Sequence, residues 1–205
     1  MTEVWNKYLV GAVAFLMAWG FCAGASAGEA TQVVTELQES IVTIMKKGRD
    51  LGYPGRYQTI SPTIKKTHDL DKIARLVVGR HWKELDAGQK SAFVETFRNL
   101  SVSMYAGRFK DYGGEQFKVL SEASLKRGNR KLVTSHFVKS DGETLTFAYI
   151  LHRVHDRWKI ISVSVNGVSD LALKRAEYGG ILRKDGFPTL IERLKSQIQK
   201  NADGL

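Results

Sequence analysis

The side chains best suited to acid–base or metal chemistry are the histidines, and the sequence has five of them. His152 and His155 are three residues apart, but their surroundings predict a strand and its turn, where this spacing directs side chains to opposite faces. His136 follows Ser135 directly, and adjacent residues of a strand also face apart. The histidine pattern therefore indicates neither a metal pair nor a Ser–His nucleophile.

Short catalytic motifs are also missing from the sequence. It contains no HExxH and no P-loop. Asp69 and Asp71 precede a helical pattern, where carboxylates usually cap the helix and stabilise its N-terminal dipole. An enzyme that takes small apolar substrates, with His136 or His152 as its base, stays open as an alternative. We expect neither catalysis nor a cofactor nor a metal.

The first 27 residues have the pattern of a cleavable signal peptide. An apolar run at 8–21 leads to the ASA tripeptide at 25–27, which fits the small-x-small rule and puts cleavage before Gly28. The alternative is a retained membrane anchor, but the run is shorter than the roughly 20 residues of a spanning helix. We predict a signal peptide over 1–27, a single domain over 28–205, and secretion to the periplasm.

Charge and cysteine content narrow the class of protein further. Cys22 is the only cysteine and lies in the predicted signal peptide, so the mature chain has no disulfide and depends on its core alone. The net charge of +10 suits nucleic acid, anionic membrane surfaces or acidic partners. Secretion argues against nucleic acid as the partner of this positive charge. Lipid head groups, an acidic partner protein or a merely solubilising surface remain.

The first half of the chain has the apolar periodicity of helices. Segments 30–47 and 71–78 show it clearly, with Gly48 and Gly79 as expected ends. We expect a loop at 52–55 and a new helix at Ser61-Pro62.

A further helix carries the strongest start signal in the sequence. Asp86 is an expected N-cap, and Gln89 three residues later resembles the second half of a capping box. An apolar stripe then follows at helical spacing. It consists of Phe93, Phe97, Leu100 and Met104.

The second half has the alternation of strands. The change comes near Gly113-Gly114, and SDGE at 140–143 is a strong hairpin signal. Segments 144–151 and 158–165 alternate, and helical spacing returns from 168 with a break at Gly186. We predict an α+β fold: a curved antiparallel sheet of about four strands, covered on one face by helices, with an apolar cavity between them.

Two long stretches carry a family resemblance. DLDKIARLVVGRHWKELDAGQKSAFVETFRNLSVSMYAGRF at 69–109, and the region from FAYILHRVHDRWKIISVSVNGVSDLALKRAEYGGIL at 147–182 to GFPTLIERL, resemble the MlaC family of periplasmic lipid-binding, or toluene-tolerance, proteins. The first stretch matches the family pattern at Asp71, Ile73, Ala74, Gly79, Trp82, Gln89, Phe93, Phe97, Tyr105 and Ala106. The variant DLALKRAEY, in place of the Tyr-Arg pair of phospholipid carriers, is most similar to the HpnM branch, which is associated with hopanoids.

The resemblance implies a monomeric soluble carrier that shelters lipid tails and leaves the head group exposed. It implies a hopanoid or phospholipid cargo, and exchange with an inner-membrane ABC lipid transporter complex and an outer-membrane lipoprotein complex. The alternative is a secreted basic adaptor that binds proteins without lipid. The predicted lipid-binding residues are Ile73, Val77, Phe93, Phe97, Leu100, Met104, Tyr105, Phe147, Tyr149, Leu151, Ile161, Val163, Val165, Val168 and Leu171.

Overall fold

The computed structural model describes residues 28–126 and 129–204, and the predicted signal peptide lies outside them. Helices come first, a sheet follows, and two helices end the chain. The elements are α1 (Glu29–Lys46), α2 (Gly48–Thr67), α3 (Leu70–Val78), a 3₁₀ helix (Gly79–Lys83), α4 (Ala87–Arg108), β1 (Gln116–Ser124), β2 (Arg130–Val138), β3 (Thr144–Val154), β4 (Arg157–Val165), β5 (Val168–Ser169), α5 (Asp170–Lys184) and α6 (Gly186–Asp203). No helix within the described ranges combines the length and apolar character that crossing a bilayer requires.

The strands form one open antiparallel sheet in the order β1-β2-β3-β4-β5. The predicted α+β class is confirmed, and the sheet has one strand more than expected, the two-residue β5. At the opposite edge, Val119 pairs with Ser135 and Ser121 with Thr134, so Leu120 is an extra residue that forms a β-bulge in β1.

Tight turns connect the strands. The hairpin predicted at 140–143 joins β2 to β3 and is closed by a hydrogen bond from Lys139 N to Glu143 O of 2.8 Å. His155 and Asp156 both have positive φ between β3 and β4, as a two-residue type I′ turn requires. Gly167, with φ of 80°, lies in the turn between β4 and β5.

The core lies between the helices and one face of the sheet. Helices α1, α2, α3 and α5 all contact β4. Val133, Tyr149 and Leu151 on this inner face are almost fully buried. Gln38 of α1 reaches the same layer and donates from Nε2 to Ser135 Oγ at 2.8 Å and to the Tyr149 hydroxyl at 3.3 Å. These bonds satisfy the polar groups buried between helix and sheet.

The loop expected at 52–55 and the helix start expected at Ser61-Pro62 are both wrong. The chain is helical over Gly48–Thr67, with one break at Gly52, whose φ is 57° and ψ −176°. Pro54 follows this break, so its missing N–H falls where a first helical turn has no intrahelical partner. Pro62 lies inside the helix.

A buried arginine fixes this kinked helix against its neighbours. Arg56 is 8% exposed, and it donates from Nε to Ala106 O and from Nη1 to Gly48 O, both at 2.8 Å. Ala106 lies in the last turn of α4, where the carbonyl end of the helix dipole favours a cation. The tertiary contacts of Arg56 therefore support a helix that its glycine and prolines disfavour locally.

The start of α4 follows the sequence prediction. Asp86 Oδ1 accepts from Gln89 N at 2.8 Å, and Gln89 Oε1 accepts from Asp86 N at 3.1 Å, which is a complete capping box. Phe93 and Phe97 are buried one turn apart, with ring centroids 5.9 Å apart. The predicted stripe thus directs α4 toward the core. Gly79, with φ of 60°, ends α3 as predicted.

Candidate functional site

An apolar cavity of about 140 Å³ lies between α4, α5 and the inner face of β3 and β4. Residues of α3, and the residues just before it, form another side of the cavity. The lining consists of Ile41, His68, Leu70, Ile73, Phe97, Ser101, Met104, Tyr105, Arg108, Phe109, Phe147, Tyr149, Ile160, Ile161, Ser162, Val163, Val165, Asp170, Leu171 and Lys174.

Most of the residues predicted to bind lipid line this cavity. Those that do are Ile73, Phe97, Met104, Tyr105, Phe147, Tyr149, Ile161, Val163, Val165 and Leu171. Lipid contact at these positions stays a prediction.

The other predicted residues lie outside the cavity lining. Val77, Phe93, Leu100 and Leu151 are almost fully buried among core side chains. Their helical or alternating spacing correctly indicates an inward direction, but it does not separate cavity wall from packed core. Val168 is 55% exposed, because it belongs to the edge strand β5 and not to a core-facing helix.

A β-bulge in β4 brings an unpredicted residue to the cavity. Ile150 pairs with Ser162 and Leu151 with Ile160, so Ile161 is the extra residue between these pairs. Both Ile160 and Ile161 line the cavity as a result. Strict alternation from the sequence places Ile160 on the opposite face from Ile161, which is why it was missed.

A buried histidine in the cavity wall has a defined tautomer. Thr67 Oγ1 donates its only proton to Thr63 O at 2.7 Å, so it accepts from His68 Nδ1 at 3.0 Å. His68 Nε2 is then the unprotonated nitrogen and accepts from the Tyr105 hydroxyl at 3.2 Å. His68 is thus a neutral ring that orients Tyr105, and no pattern in the sequence indicates this contact.

Burial sets the protonation of the polar groups in this wall. Burial lowers the pKa of His68 to about 4, so its ring is neutral at physiological pH. Burial also raises the pKa of Tyr105 well above its ordinary range and the pKa of Tyr149 to about 12. Ser101 Oγ donates to Phe97 O at 2.8 Å. The histidine, the two tyrosines and the serine of the cavity wall are therefore uncharged at physiological pH.

Three charged side chains belong to the lining. Arg108 is exposed in the last turn of α4, and Asp170 and Lys174 lie in the first two turns of α5, where they form an ion pair of 2.5 Å. Ser169 caps α5 by accepting from Ala172 N at 3.3 Å. Asp170 in the first turn is favoured by the helix dipole. No spacing rule in the sequence connects the end of α4 with the start of α5.

A polar cleft of about 610 Å³ lies beside the cavity and shares His68 and Leu70 with it. Two of its charged groups, Arg98 and Asp71, are paired with each other. Arg98 donates to both oxygens of Asp71, with Nη2–Oδ2 at 2.7 Å. Such mutual pairing is typical of a structural surface.

Asp69, which also lines the cleft, is held on both of its oxygens. It accepts from His152 Nε2 at 2.8 Å through Oδ2, and from Lys72 N at 3.0 Å through Oδ1. The second bond is the capping role that the sequence predicted for this residue. His152 Nδ1 lies 3.1 Å from Lys72 Nζ. In the part of the chain that the structure describes, no group of three or more His, Cys, Asp or Glu side chains is arranged to hold a metal ion.

Comparison with solved structures finds a protein with a similar fold. The chain is similar to a phospholipid-binding protein from Ralstonia solanacearum that was solved in complex with a phospholipid. The TM-score is 0.75, the sequence identity is 17%, and the match covers 85% of this chain and 99% of the other. At this identity the likeness establishes the shared fold.

Two curated relatives are similar in sequence. One is the intermembrane phospholipid transport system binding protein MlaC of Haemophilus influenzae, 26% identical over 135 residues, or 64% of this chain and 63% of that protein. The other is toluene tolerance protein ttg2D of Pseudomonas putida, 22% identical over 149 residues, or 72% of this chain and 65% of that protein. The chain thus spans a little under two thirds of each relative.

The family model for the MlaC protein matches residues 35–196, which begin within α1, end within α6 and include every element between them. This confirms the family predicted from the two quoted stretches, while the hopanoid-associated branch stays a prediction. The chain belongs to the MlaC family.

Proposed function

We propose that this chain is a lipid carrier that takes acyl or polycyclic tails into the cavity between α4, α5 and the sheet. The observation that carries the proposal is this cavity between helices and sheet, with its largely apolar wall, in a chain of the MlaC family. The names of a relative and of the similar structure, which refer to phospholipid transport and phospholipid binding, support it.

The size of the cavity sets a condition on loading. A volume of about 140 Å³ is close to the roughly 150 Å³ of engineered protein cavities that accept benzene. An acyl chain is much longer, so the walls have to separate during loading. Helix α5 is suited to move, because Gly167 and Gly186 at its two ends both have positive φ and tolerate changes that other residues resist.

The energetics suit a shuttle. Each buried methylene gains about 0.8 kcal/mol over water, but a bilayer offers the tail a similar gain. Transfer between carrier and membrane is therefore close to balanced, and the carrier itself needs no nucleotide. We propose that residues 28–205 act as one secreted domain in the periplasm. They would serve as a monomer between an inner-membrane ABC lipid transporter complex and an outer-membrane lipoprotein complex.

The direct test is to identify lipid that accompanies the protein. The full chain is expressed with its N-terminal segment, purified from the periplasm without detergent, and analysed by native mass spectrometry and solvent extraction. We expect one bound lipid, with a mass that separates phospholipid from hopanoid. A protein that carries no lipid by either method, but binds partner proteins in a salt-sensitive way, would support the basic adaptor instead.

A further inference from the structure

Charged side chains are unexpected around a cavity that is otherwise apolar, because they lose hydration unless a partner compensates. Arg108, Asp170 and Lys174 are nevertheless part of the lining. Arg108 is exposed and the Asp170 side chain is 50% exposed, so these charges lie where the cavity approaches solvent. Two positive charges face one negative charge there, which leaves an excess of positive charge.

The two cations have unused hydrogen-bonding capacity. Lys174 is only 13% exposed and has three donors, yet among the described residues its ammonium pairs with Asp170 alone. Arg108 has five donors and makes no hydrogen bond or ion pair with any residue that the structure describes. Arg98 of the neighbouring polar cleft differs, since it already donates to both oxygens of Asp71.

The two cations come to one cavity from different helices. Arg108 lies in the last turn of α4 and Lys174 in the second turn of α5, and both line the same apolar cavity. The end of α4 and the start of α5 therefore bring a guanidinium and an ammonium to the wall of one apolar cavity. A lipid has the same arrangement of chemistry, with an apolar tail joined to a polar head.

We propose that Arg108 and Lys174 bind the phosphate of the lipid head group while its tails occupy the cavity. The guanidinium offers two parallel donors to phosphate oxygens, and the ammonium adds a point charge. Phosphate then takes the place of Asp170 as the partner of Lys174. This inference rests on the proposed carrier function and deepens it, because it selects phosphate-bearing lipids over neutral polycyclic ones.

The test compares lipids with identical tails. The secreted protein is delipidated, and displacement of a fluorescent lipid is measured with dioleoyl phosphatidylglycerol and with dioleoylglycerol, which lacks the phosphate. We expect phosphatidylglycerol to bind at least about tenfold more tightly, as charge-assisted hydrogen bonds imply. Arg108→Gln and Lys174→Gln should each weaken the binding of phosphatidylglycerol by about tenfold. Each should leave the affinity for dioleoylglycerol within about twofold of the wild type.

Matched controls separate a local effect from a change in total charge. Lys184→Gln removes a positive charge from an exposed residue of α5 that does not line the cavity, and both lipids should bind as in the wild type. Asp170→Asn should strengthen phosphatidylglycerol binding, because Lys174 loses its competing partner. A Lys184→Gln effect as large as that of Lys174→Gln would overturn the proposal.

The remaining outcomes test the phosphate site separately from the carrier function. Equal affinity for both lipids would overturn the phosphate site and keep the carrier function. Failure of both lipids to bind would overturn the carrier function. Inorganic phosphate, tested alone, should not displace the fluorescent lipid at concentrations near those of the lipids. Displacement by it at such concentrations would identify a free-phosphate site and overturn the head-group assignment.

Discussion

His68 Nε2 accepts a hydrogen bond of 3.2 Å from the Tyr105 hydroxyl in the wall of the apolar cavity. The bond requires an unprotonated Nε2, because Nδ1 carries the proton that is donated to Thr67 Oγ1. Protonation of His68 therefore ends this donation from Tyr105, since Nε2–H can only donate to the hydroxyl oxygen, and it places a charge among buried residues.

The first prediction concerns stability against pH. The pKa of His68 is about 4 in the folded protein and about 6.5 in the unfolded chain, so the unfolded chain binds more protons between these values. The free energy of unfolding should fall as the pH drops from about 6.5 to about 4, by about 3 kcal/mol from this group, with no further loss below.

His68→Asn provides the comparison, since Asn does not titrate. Urea denaturation at pH 7 and at pH 4 should show a loss of stability that is about 3 kcal/mol larger in the wild type than in the variant. Other carboxylates and histidines contribute equally to both proteins and cancel. Identical pH dependence in the two proteins would show that His68 is not buried as a neutral ring.

The second prediction concerns the cavity itself. Val163→Trp places an indole in the space between β4 and α4, where Val163 is part of the lining. We expect a folded protein that loses about 1–3 kcal/mol of stability through overpacking and carries much less lipid. Extraction of lipid from equal amounts of folded protein measures this.

Ile150→Trp is the matched control for this substitution. Ile150 pairs with Ser162 on β4, one residue from Val163, and strand alternation directs its side chain to the opposite face. Lipid content should stay at the wild-type level. If Val163→Trp also carries a full complement of lipid, the cargo does not occupy this cavity.

The third prediction concerns Arg56. Arg56→Met leaves the carbonyls of Ala106 and Gly48 without their buried donor and should lower the free energy of unfolding by about 3 kcal/mol. Arg56→Lys should cost less, because an ammonium reaches one carbonyl more readily than both. Guanidinium denaturation checks this, with exposed Arg183→Met expected within about 0.5 kcal/mol of the wild type. A similarly small effect of Arg56→Met would contradict the proposed support of the kinked helix.

The fourth prediction concerns the start of α4. Asp86→Ala should cost about 1 kcal/mol, because the N–H of Gln89 loses its capping acceptor. Gln89→Ala should cost less, and the double variant should cost less than the sum of the two, since both residues belong to one capping box. Thermal unfolding measures the cycle. Strict additivity would mean that the two hydrogen bonds form independently.

Local signals in the sequence predicted the elements well where one pattern acts alone. The capping box at Asp86, the helix end at Gly79 and the hairpin at 140–143 all follow from a few adjacent residues. The helix around Gly52 and Pro54 was missed, because its stability comes from the tertiary contacts of Arg56 and not from propensity.

The cavity was predicted in part for a similar reason. Alternation and helical spacing identify inward side chains, but they do not tell the wall residue Phe97 from the packed residue Phe93. Ile160 reaches the cavity through a bulge that no alternation predicts. Arg108 and Lys174 are far apart in sequence, and only the packing of α4 and α5 against the sheet brings them to one cavity.

The two edges of the sheet have a consequence for how the protein behaves at high concentration. An exposed edge strand offers unpaired backbone groups on which another copy can add a strand, a common route to aggregation. Here β5 pairs only with Ser164 and Val165 of β4, the main chain at His68 and Asp69 bonds to Ile160 further along β4, and β1 is interrupted by the bulge at Leu120. Neither edge presents a long regular template, so the architecture itself protects this molecule against strand-by-strand polymerisation.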